Sequence, residues 1–231
     1  MQSMTQPVRD YEIMHSSEIG ISEAAPAERS LLLEEITHRI NNDLASTIAF
    51  IELTAAHSAN DDVRLALAGV AQHVHEFANV QRALRMPDGN HPIDASDYLR
   101  RLCRSISQAK LQYRDIELLF CEAPVELGAR SCWRMGMIVS ELIANAARHA
   151  FAGRGGQITV ELSCRSNRVE CIVSDTGRGS EDARPGHGSR IVSELAGDLR
   201  GRLHRVSGMQ GTSVRLSFPR DESFEGTAIK R

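Results

Sequence analysis

The chain has 231 residues, and its 27 Lys and Arg against 30 Asp and Glu give a formal net charge of −3. With 42% hydrophobic and 25% charged residues, it has the composition of a soluble globular protein, which excludes collagen-like, disordered and purely coiled-coil classes. The near-neutral balance gives no reason to expect a nucleic-acid partner.

Composition also gives expectations about location. The sequence contains no apolar run of about 18 residues and no apolar segment typical of a signal peptide, so we expect no membrane span. The five cysteines are not spaced as CxxC pairs. We therefore expect buried free thiols in a reducing compartment, and a cytoplasmic protein.

The first part of the chain is predicted to be a helical hairpin. Residues 1–27 are polar and aperiodic, which indicates a flexible leader. Within 28–88, apolar residues recur every three or four positions on both sides of a break at 57–62, where Asp61 or Asp62 can cap the second helix. Two helices bury little apolar surface, so we expect a homodimer in which two hairpins form a four-helix bundle. The alternative is that the hairpin packs on its own chain.

A different pattern follows the proline- and glycine-containing break at 86–92. Residues 92–220 contain predicted helices over 94–111, 129–151 and 189–199, and predicted strands around 116–121, 158–162, 169–173, 203–206 and 214–218. Helices and mostly antiparallel strands in separate runs indicate an α+β sandwich. Residues 221–231 are predicted to be a frayed tail.

Polar side chains share one face of the predicted helix that contains ELIANAARHAF. Glu141, Asn145, Arg148 and His149 fall at positions i, i+4, i+7 and i+8, which lie on one side of a helix. A carboxylate, an amide oxygen and a cation side by side suit a hydrated Mg²⁺ ion that holds phosphates. A solvated charged face is the alternative explanation.

The segment SDTGRGS follows a predicted strand. Asp175 ends that strand and can accept a hydrogen bond from an exocyclic amine. Gly177 and Gly179 permit a positive φ and a close approach of the backbone to a flat ring. By itself, the segment is equally consistent with an ordinary turn.

Two further glycine motifs come later in the chain. In PGHGSRIV, Gly186 and Gly188 precede a helix whose first amides could bind an anion. Gly211 and Thr212 open the last predicted strand, where the threonine hydroxyl could reach a phosphate or an adenine-bound water. Each motif alone is consistent with an ordinary junction.

In this order, the motifs resemble the ATP-binding domain of the GHKL group, which comprises gyrase B, Hsp90, the histidine kinases and MutL. The resemblance covers about residues 92–220 and implies an α/β sandwich that holds ATP under a lid. It implies Mg²⁺ binding by Asn145, an adenine contact by Asp175, and a metal or base role for Glu141. The other implied contacts are with adenine for Gly177 and Gly179, and with phosphates for Gly186, Gly188, Arg148, His149 and Thr212.

The first predicted helix contains HRINNDLA. His38 lies roughly 200° from the apolar position two residues earlier, so it is expected to face away from the apolar stripe. An ordinary histidine pKa of about 6.5 leaves most of the imidazole neutral and nucleophilic at pH 7. The segment resembles the HRxxNxL phosphoacceptor signature of one subgroup of sensor histidine kinases. Asn42 and Leu44 match that signature and Ala45 is a common residue at its eighth position, whereas Asn41 stands where lysine is usual.

This resemblance extends over about residues 30–220, and the chain is similar to short, stand-alone HRINN-type kinases. It implies autophosphorylation of His38 from Mg-ATP and transfer to an aspartate of a response-regulator receiver, with a separate protein as the sensor. Asn42, one turn after His38, could orient a water for phosphatase-like hydrolysis. One alternative is a histidine phosphotransfer protein with a degenerate ATP-binding domain, because only residues 181–185 remain for a lid. A serine kinase of the anti-sigma type is a third option.

Overall fold

The computed structural model describes residues 26–87, 91–151, 153–179 and 187–220, with the side chains of 26–34, 36–38 and 187 left out. Two helices, α1 (Pro26–His57) and α2 (Asp61–Ala83), pack together as the predicted hairpin. The predicted tail and all but the last two residues of the predicted leader lie outside the described residues. None of the helices in the described ranges combines the length and apolarity needed to cross a bilayer.

The turn between the two helices ends at Asn60. The Asn60 side chain accepts hydrogen bonds from the backbone N–H of Asp62 at 2.9 Å and of Val63 at 3.4 Å. The prediction that Asp61 or Asp62 caps α2 is therefore wrong by one or two positions. The two aspartates occupy the first turn instead, where a negative charge is favoured by the helix dipole.

Three helices and five strands build the second part of the chain. The helices are α3 (Ala95–Ile106), α4 (Ala129–His149) and α5 (His187–Asp198). Helix α3 is capped by the side chain of Asp94 and continues as a π-helical turn over Ser107–Leu111. The main strands are β2 (Ile116–Glu122), β4 (Gly156–Arg165), β5 (Arg168–Asp175), β6 (Arg202–Gly208) and β7 (Gly211–Pro219).

The main strands form one sheet in the order β2-β4-β5-β7-β6. Only the β2–β4 pair is parallel, and the other pairs are antiparallel as predicted. The sequence patterns missed a second ladder, in which β1 (Ile93–Asp94) pairs with β3 (Glu126–Leu127). Strands of two residues are too short to show an alternating pattern.

One face of the sheet packs against α3, α4 and α5. The alternating residues predicted for β4 and β5 all lie in this core, together with residues of the three helices. The core includes Ile158, Val160, Leu162, Val169, Cys171, Val173, Leu99, Ile138 and Val192. The predicted fold class, an α+β chain with a helical hairpin before a sandwich, is confirmed.

The cysteines match the prediction only in part. All five are free, and Cys103, Cys132 and Cys171 are buried. Burial raises the pKa of the Cys103 and Cys132 thiols to about 12, which keeps them protonated. Cys164 is half-buried, and Cys121 is exposed because it points to the uncovered face of the edge strand β2.

Candidate nucleotide-binding site

Three of the polar residues predicted to share a face of α4 are in contact. The Arg148 Nη2 atom donates hydrogen bonds to Asn145 Oδ1 at 2.7 Å and to Glu141 Oε1 at 3.1 Å. His149 is exposed at the end of the same helix. The carboxylate, the amide oxygen and the guanidinium therefore form one connected cluster, which we call the α4 cluster.

Asp175 is the last residue of β5, and the backbone fixes its carboxylate. Its Oδ1 atom accepts hydrogen bonds from the N–H of Gly177 at 3.0 Å and the N–H of Thr212 at 3.3 Å. Both bonds go to one oxygen, so the described hydrogen bonds leave the acceptor capacity of Oδ2 unused. The Thr212 hydroxyl lies 3.0 Å from the Ser207 hydroxyl at the neighbouring strand.

The two glycines after Asp175 meet one part of their prediction differently, while their approach to a flat ring stays a prediction. Neither Gly177 nor Gly179 has a positive φ, so that expectation is wrong. A Cβ on Gly177 would lie 2.3 Å from the carbonyl oxygen of Ala150, and one on Gly179 would lie 2.0 Å from that of Gly208. The glycines therefore allow this loop to approach the backbone of its own chain closely.

Positive φ occurs instead at Gly211, the first residue of β7. Its φ is 119°, and an added Cβ would lie 1.8 Å from the carbonyl oxygen of Asp175. A larger residue would be strained both in conformation and by contact. Gly211 therefore allows β7 to start directly beside Asp175, and this brings the Thr212 N–H to the carboxylate.

The start of α5 lies against the α4 cluster. A Cβ on Gly188 would lie 1.9 Å from Glu141 Oε1, so a larger residue there would require the Glu141 side chain to move. Gly186 and the predicted lid residues 181–185 lie outside the described residues. The described site is therefore bounded by α4, the end of β5, the start of β7 and the first turn of α5.

The donor set fits a nucleotide-bound Mg²⁺ ion better than a metal site built by the protein alone. Within the described ranges, no group of three or more His, Cys, Asp or Glu side chains is arranged for a metal ion. Mg²⁺ commonly takes one or two protein oxygens and completes its shell with phosphate and water oxygens. Asn145 Oδ1 and the Glu141 carboxylate are suitable protein ligands of this kind.

The sequence patterns gave no indication of Lys110, which lies in the π-helical turn close to this site. Burial lowers the pKa of its half-buried ammonium group, Glu141 raises it, and Arg148 lowers it. Lys110 therefore shares the electrostatic surroundings of the α4 cluster. The one available signal was its rarity, because only two of the 27 basic residues are lysines.

The predicted phosphoacceptor lies on α1, outside this site. His38 and Asn42 are one turn apart on the helix, and the Asn42 side chain is exposed. The side chain of His38 lies outside the described residues. The predicted orientation of its imidazole therefore stays a prediction.

Comparisons with known proteins agree with this arrangement. Residues 35–110 match a family described as histidine kinase, and residues 133–222 match the histidine kinase-, DNA gyrase B- and HSP90-like ATPases. A helical hairpin followed by such an ATPase domain defines the class as a histidine kinase core. The chain therefore carries a region of the histidine kinase family at 35–110 and an ATPase domain of the kind that histidine kinases contain at 133–222.

Two curated relatives give the scale of the similarity. Blue-light-activated histidine kinase 2 of Erythrobacter litoralis is 28% identical over 199 residues, covering 81% of this chain and 56% of that protein. Sensor histidine kinase PdtaS of Mycobacterium tuberculosis is 26% identical over 212 residues, covering 88% of this chain and 42% of that protein. The chain thus spans about half the length of the curated relatives it matches.

Solved structures share the fold. The Erythrobacter litoralis EL346 blue-light activated histidine kinase has a TM-score of 0.54 at 25% identity, over 89% of this chain and 64% of that one. A bacterial phosphotransferase has a TM-score of 0.58 at 12% identity, over 84% of this chain and 97% of that one. At 12% identity, the second match shows the fold alone.

Proposed function

We propose that this chain is a two-component histidine kinase, which transfers the γ-phosphoryl group of Mg-ATP to His38 and then to an aspartate of a response-regulator receiver. The observation that carries the proposal is the Asp175 carboxylate, whose Oδ1 is held by two backbone N–H groups while Oδ2 is offered to an amine. Adenine has such an amine, and the polar side chains of the α4 cluster can meet the phosphates.

In this proposal, different residues of the chain bind the adenine, the metal ion and the phosphates. Asp175 accepts from the exocyclic amine of adenine, and Gly177 and Gly179 line the ring. The Asn145 amide oxygen holds the metal ion, which when bound neutralises phosphate charge. The other phosphate contacts come from the start of α5, at Gly186 and Gly188, and from the end of α4, at Arg148 and His149. The Thr212 hydroxyl at the start of β7 meets a phosphate or an adenine-bound water.

The transfer itself needs position more than covalent assistance. The lone pair on Nε2 of neutral His38 forms a bond to the γ-phosphorus, while the bond to the β–γ bridging oxygen breaks and ADP leaves with that electron pair. The Nδ1 proton is then released to solvent or to the Glu141 carboxylate. In the second step, a carboxylate oxygen of the receiver aspartate displaces Nε2.

Asn42 is proposed to serve the reverse reaction. It lies one turn from His38 and is exposed, so it could orient a water for hydrolysis of the phosphorylated receiver. We expect Asn42→Ala to reduce dephosphorylation of the receiver while phosphorylation of His38 persists. Full dephosphorylation by this variant would contradict the assignment.

The partners in this proposal are a second copy of the chain, a receiver domain and a separate sensor protein. The apolar side chains of Val63 and Val70 are exposed one heptad apart on α2, which suits a second hairpin. The domain limits proposed are 28–88 for the phosphoacceptor hairpin and 92–220 for the ATPase domain.

One observation favours the alternative, a histidine phosphotransfer protein that binds ATP weakly or not at all. Arg148 occupies the same Asn145 oxygen that would bind the metal ion. Mg-ATP binding therefore requires Arg148 to release this oxygen and turn to a phosphate. A phosphotransfer protein would accept phosphate from a phosphorylated receiver, without needing ATP.

Incubation of the full chain with γ-labelled Mg-ATP distinguishes these functions. We expect an acid-labile label that His38→Gln abolishes and His57→Gln, a matched change at an exposed histidine of the same helix, leaves in place. Absence of label from ATP, with label accepted from a phosphorylated receiver, would contradict the kinase proposal and support the alternative. An acid-stable label on a partner protein would indicate a serine kinase.

A further inference from the structure

Two ring contacts join the hairpin to the ATPase domain. The rings of His73 and Tyr113 meet edge to face with centroids 6.1 Å apart. One turn along α2, the Phe77 ring lies below the ammonium group of Lys110, with Nζ 5.8 Å from the centroid. Val80 continues the contact and is buried within the core of the sandwich. The π-helical turn therefore meets α2 directly.

The same ammonium group also belongs to the surroundings of the nucleotide site. The segment that carries it contacts α4, because Arg114, four residues after Lys110, donates a hydrogen bond from Nη1 to the Ala147 carbonyl oxygen at 3.0 Å. Glu141 and Arg148 on that helix both affect the pKa of Lys110. Lys110 therefore lies on a segment that contacts both the Phe77 ring of the hairpin and the helix of the α4 cluster. π-helical turns are rare and are frequently found at functional sites.

The chemistry of the α4 cluster suggests what this cation does. While Arg148 is paired with Glu141, their charges cancel, so the cluster in this state offers little net attraction to an incoming triphosphate. The lysine ammonium is a compact charge with three rotatable donors on a flexible stem, which suits phosphate oxygens. The Phe77 ring is 39% exposed, and a cation–π contact at an exposed site is weak. Lys110 can therefore exchange this contact for one with a phosphate oxygen.

We propose that Lys110 couples the hairpin to the nucleotide site: it contacts the Phe77 ring when the site is empty and turns to the phosphates when ATP binds. This inference rests on the proposed ATP-binding function. Nucleotide binding then releases one of the two ring contacts at the junction. A hairpin freed in this way can present His38 to the triphosphate, so Lys110 links occupancy of the site to the movement that catalysis requires.

The coupling is tested by nucleotide affinities of the full chain and three variants. Lys110→Met should weaken binding in order of ligand charge, most for ATP, less for ADP and not at all for adenosine. Phe77→Leu should tighten ATP binding by about two- to fivefold, the equivalent of an exposed cation–π contact. In the Lys110→Met background, Phe77→Leu should have no further effect.

Tyr113→Leu is the matched control, since it removes the other ring contact without touching Lys110. It should leave the affinities for ATP, ADP and adenosine in the same order as in the unmutated chain. Equal weakening for ATP, ADP and adenosine in Lys110→Met would indicate a merely structural role and would overturn the inference. An unchanged ATP affinity in Phe77→Leu would also overturn it.

Lysine acetylation provides a second readout in the unmutated chain. The chain has two lysines, so N-hydroxysuccinimide acetate followed by mass spectrometry measures Lys110 with Lys230 as internal reference. Saturating Mg-ATP should slow acetylation of Lys110 relative to Lys230. Equal rates with and without a nucleotide that demonstrably binds would overturn the coupling alone. A chain that binds no ATP would overturn both the coupling and the proposed function.

Discussion

The helical hairpin exposes large apolar side chains, whereas the ATPase domain buries them. Phe50 on α1 is 70% exposed and Val70 on α2 is 49% exposed, whereas Phe218 on β7 is 1% exposed. The sandwich closes its own core between one sheet and three helices. Among the described residues, no third layer covers the hairpin along most of its length, so much of its apolar surface stays available to another surface.

The two regions also hold their polar groups differently. The ion pairs described in the hairpin lie largely on exposed surface, as between Glu35 and Arg39, and such pairs contribute at most about 0.5 kcal/mol. In the ATPase domain, backbone N–H groups of two different segments fix Asp175. The ATPase domain thus holds a polar side chain by contacts between distant segments, whereas the described polar contacts of the hairpin lie on its surface.

The largest expected effect is on the core of the ATPase domain. Leu99 on α3 is fully buried, so Leu99→Ala should lower the free energy of unfolding by about 2–5 kcal/mol. Leu65→Ala, the same change at an exposed hairpin position, should cost less than about 0.5 kcal/mol. Urea unfolding followed by circular dichroism measures both. Equal costs would contradict the difference drawn between the regions.

The next effect concerns the fixed carboxylate. Gly211→Ala places a Cβ against the Asp175 carbonyl at a positive φ, so we expect a loss of about 1–3 kcal/mol in stability. ATP affinity should fall as well, because Thr212 is displaced from Asp175. Gly197→Ala is the control, since a Cβ there meets no atom within 4 Å. Calorimetric titration with Mg-ATP measures both affinities, and equal affinities of the two variants would contradict the account.

A smaller effect is expected from a charge on the exposed apolar surface of α2. Val70→Glu should weaken the homodimer by about tenfold or more, because a carboxylate would be buried against the second copy. Leu65→Glu, on the opposite side of α2, should leave the dimer unchanged. Light scattering over a dilution series measures both. A wild-type monomer would contradict the four-helix arrangement itself.

The smallest effect is expected at the hairpin turn. Asn60→Ala removes the side-chain acceptor of two backbone N–H groups and should destabilise the hairpin by about 1 kcal/mol. Amide hydrogen exchange should show faster exchange at the start of α2, with the ATPase domain unaffected. Asn79→Ala, on the surface of the same helix, is the control. Identical exchange in the two variants would argue against the cap.

The sequence was most informative where burial of one side of a helix or strand makes residue types recur at a regular spacing. The alternation in Ile158, Val160 and Leu162 predicted β4 and its inner face, and the spacing of Glu141, Asn145 and Arg148 predicted a shared face of α4. These patterns are local, because each depends on the geometry of a single element. The order of the glycine motifs then indicated the class of domain.

What the sequence could not provide depends on contacts between distant segments. The requirement for Gly177 comes from Ala150, and the position of Lys110 comes from Phe77 and Glu141. Cys121 has an apolar neighbourhood in sequence but lies on the uncovered face of an edge strand. No local period reports which strand forms the edge, or which loop approaches which backbone.

The central claim, that ATP bound with its adenine at Asp175 phosphorylates His38, is tested most directly by locating the phosphoryl group. Mass spectrometry under neutral conditions, after incubation of the full chain with Mg-ATP, should find the phosphate on His38. The same measurement on Asp175→Asn should find little or none, while Asp198→Asn, a matched change on α5, should retain it. A phosphate on another residue, or an undiminished yield in Asp175→Asn, would contradict the account.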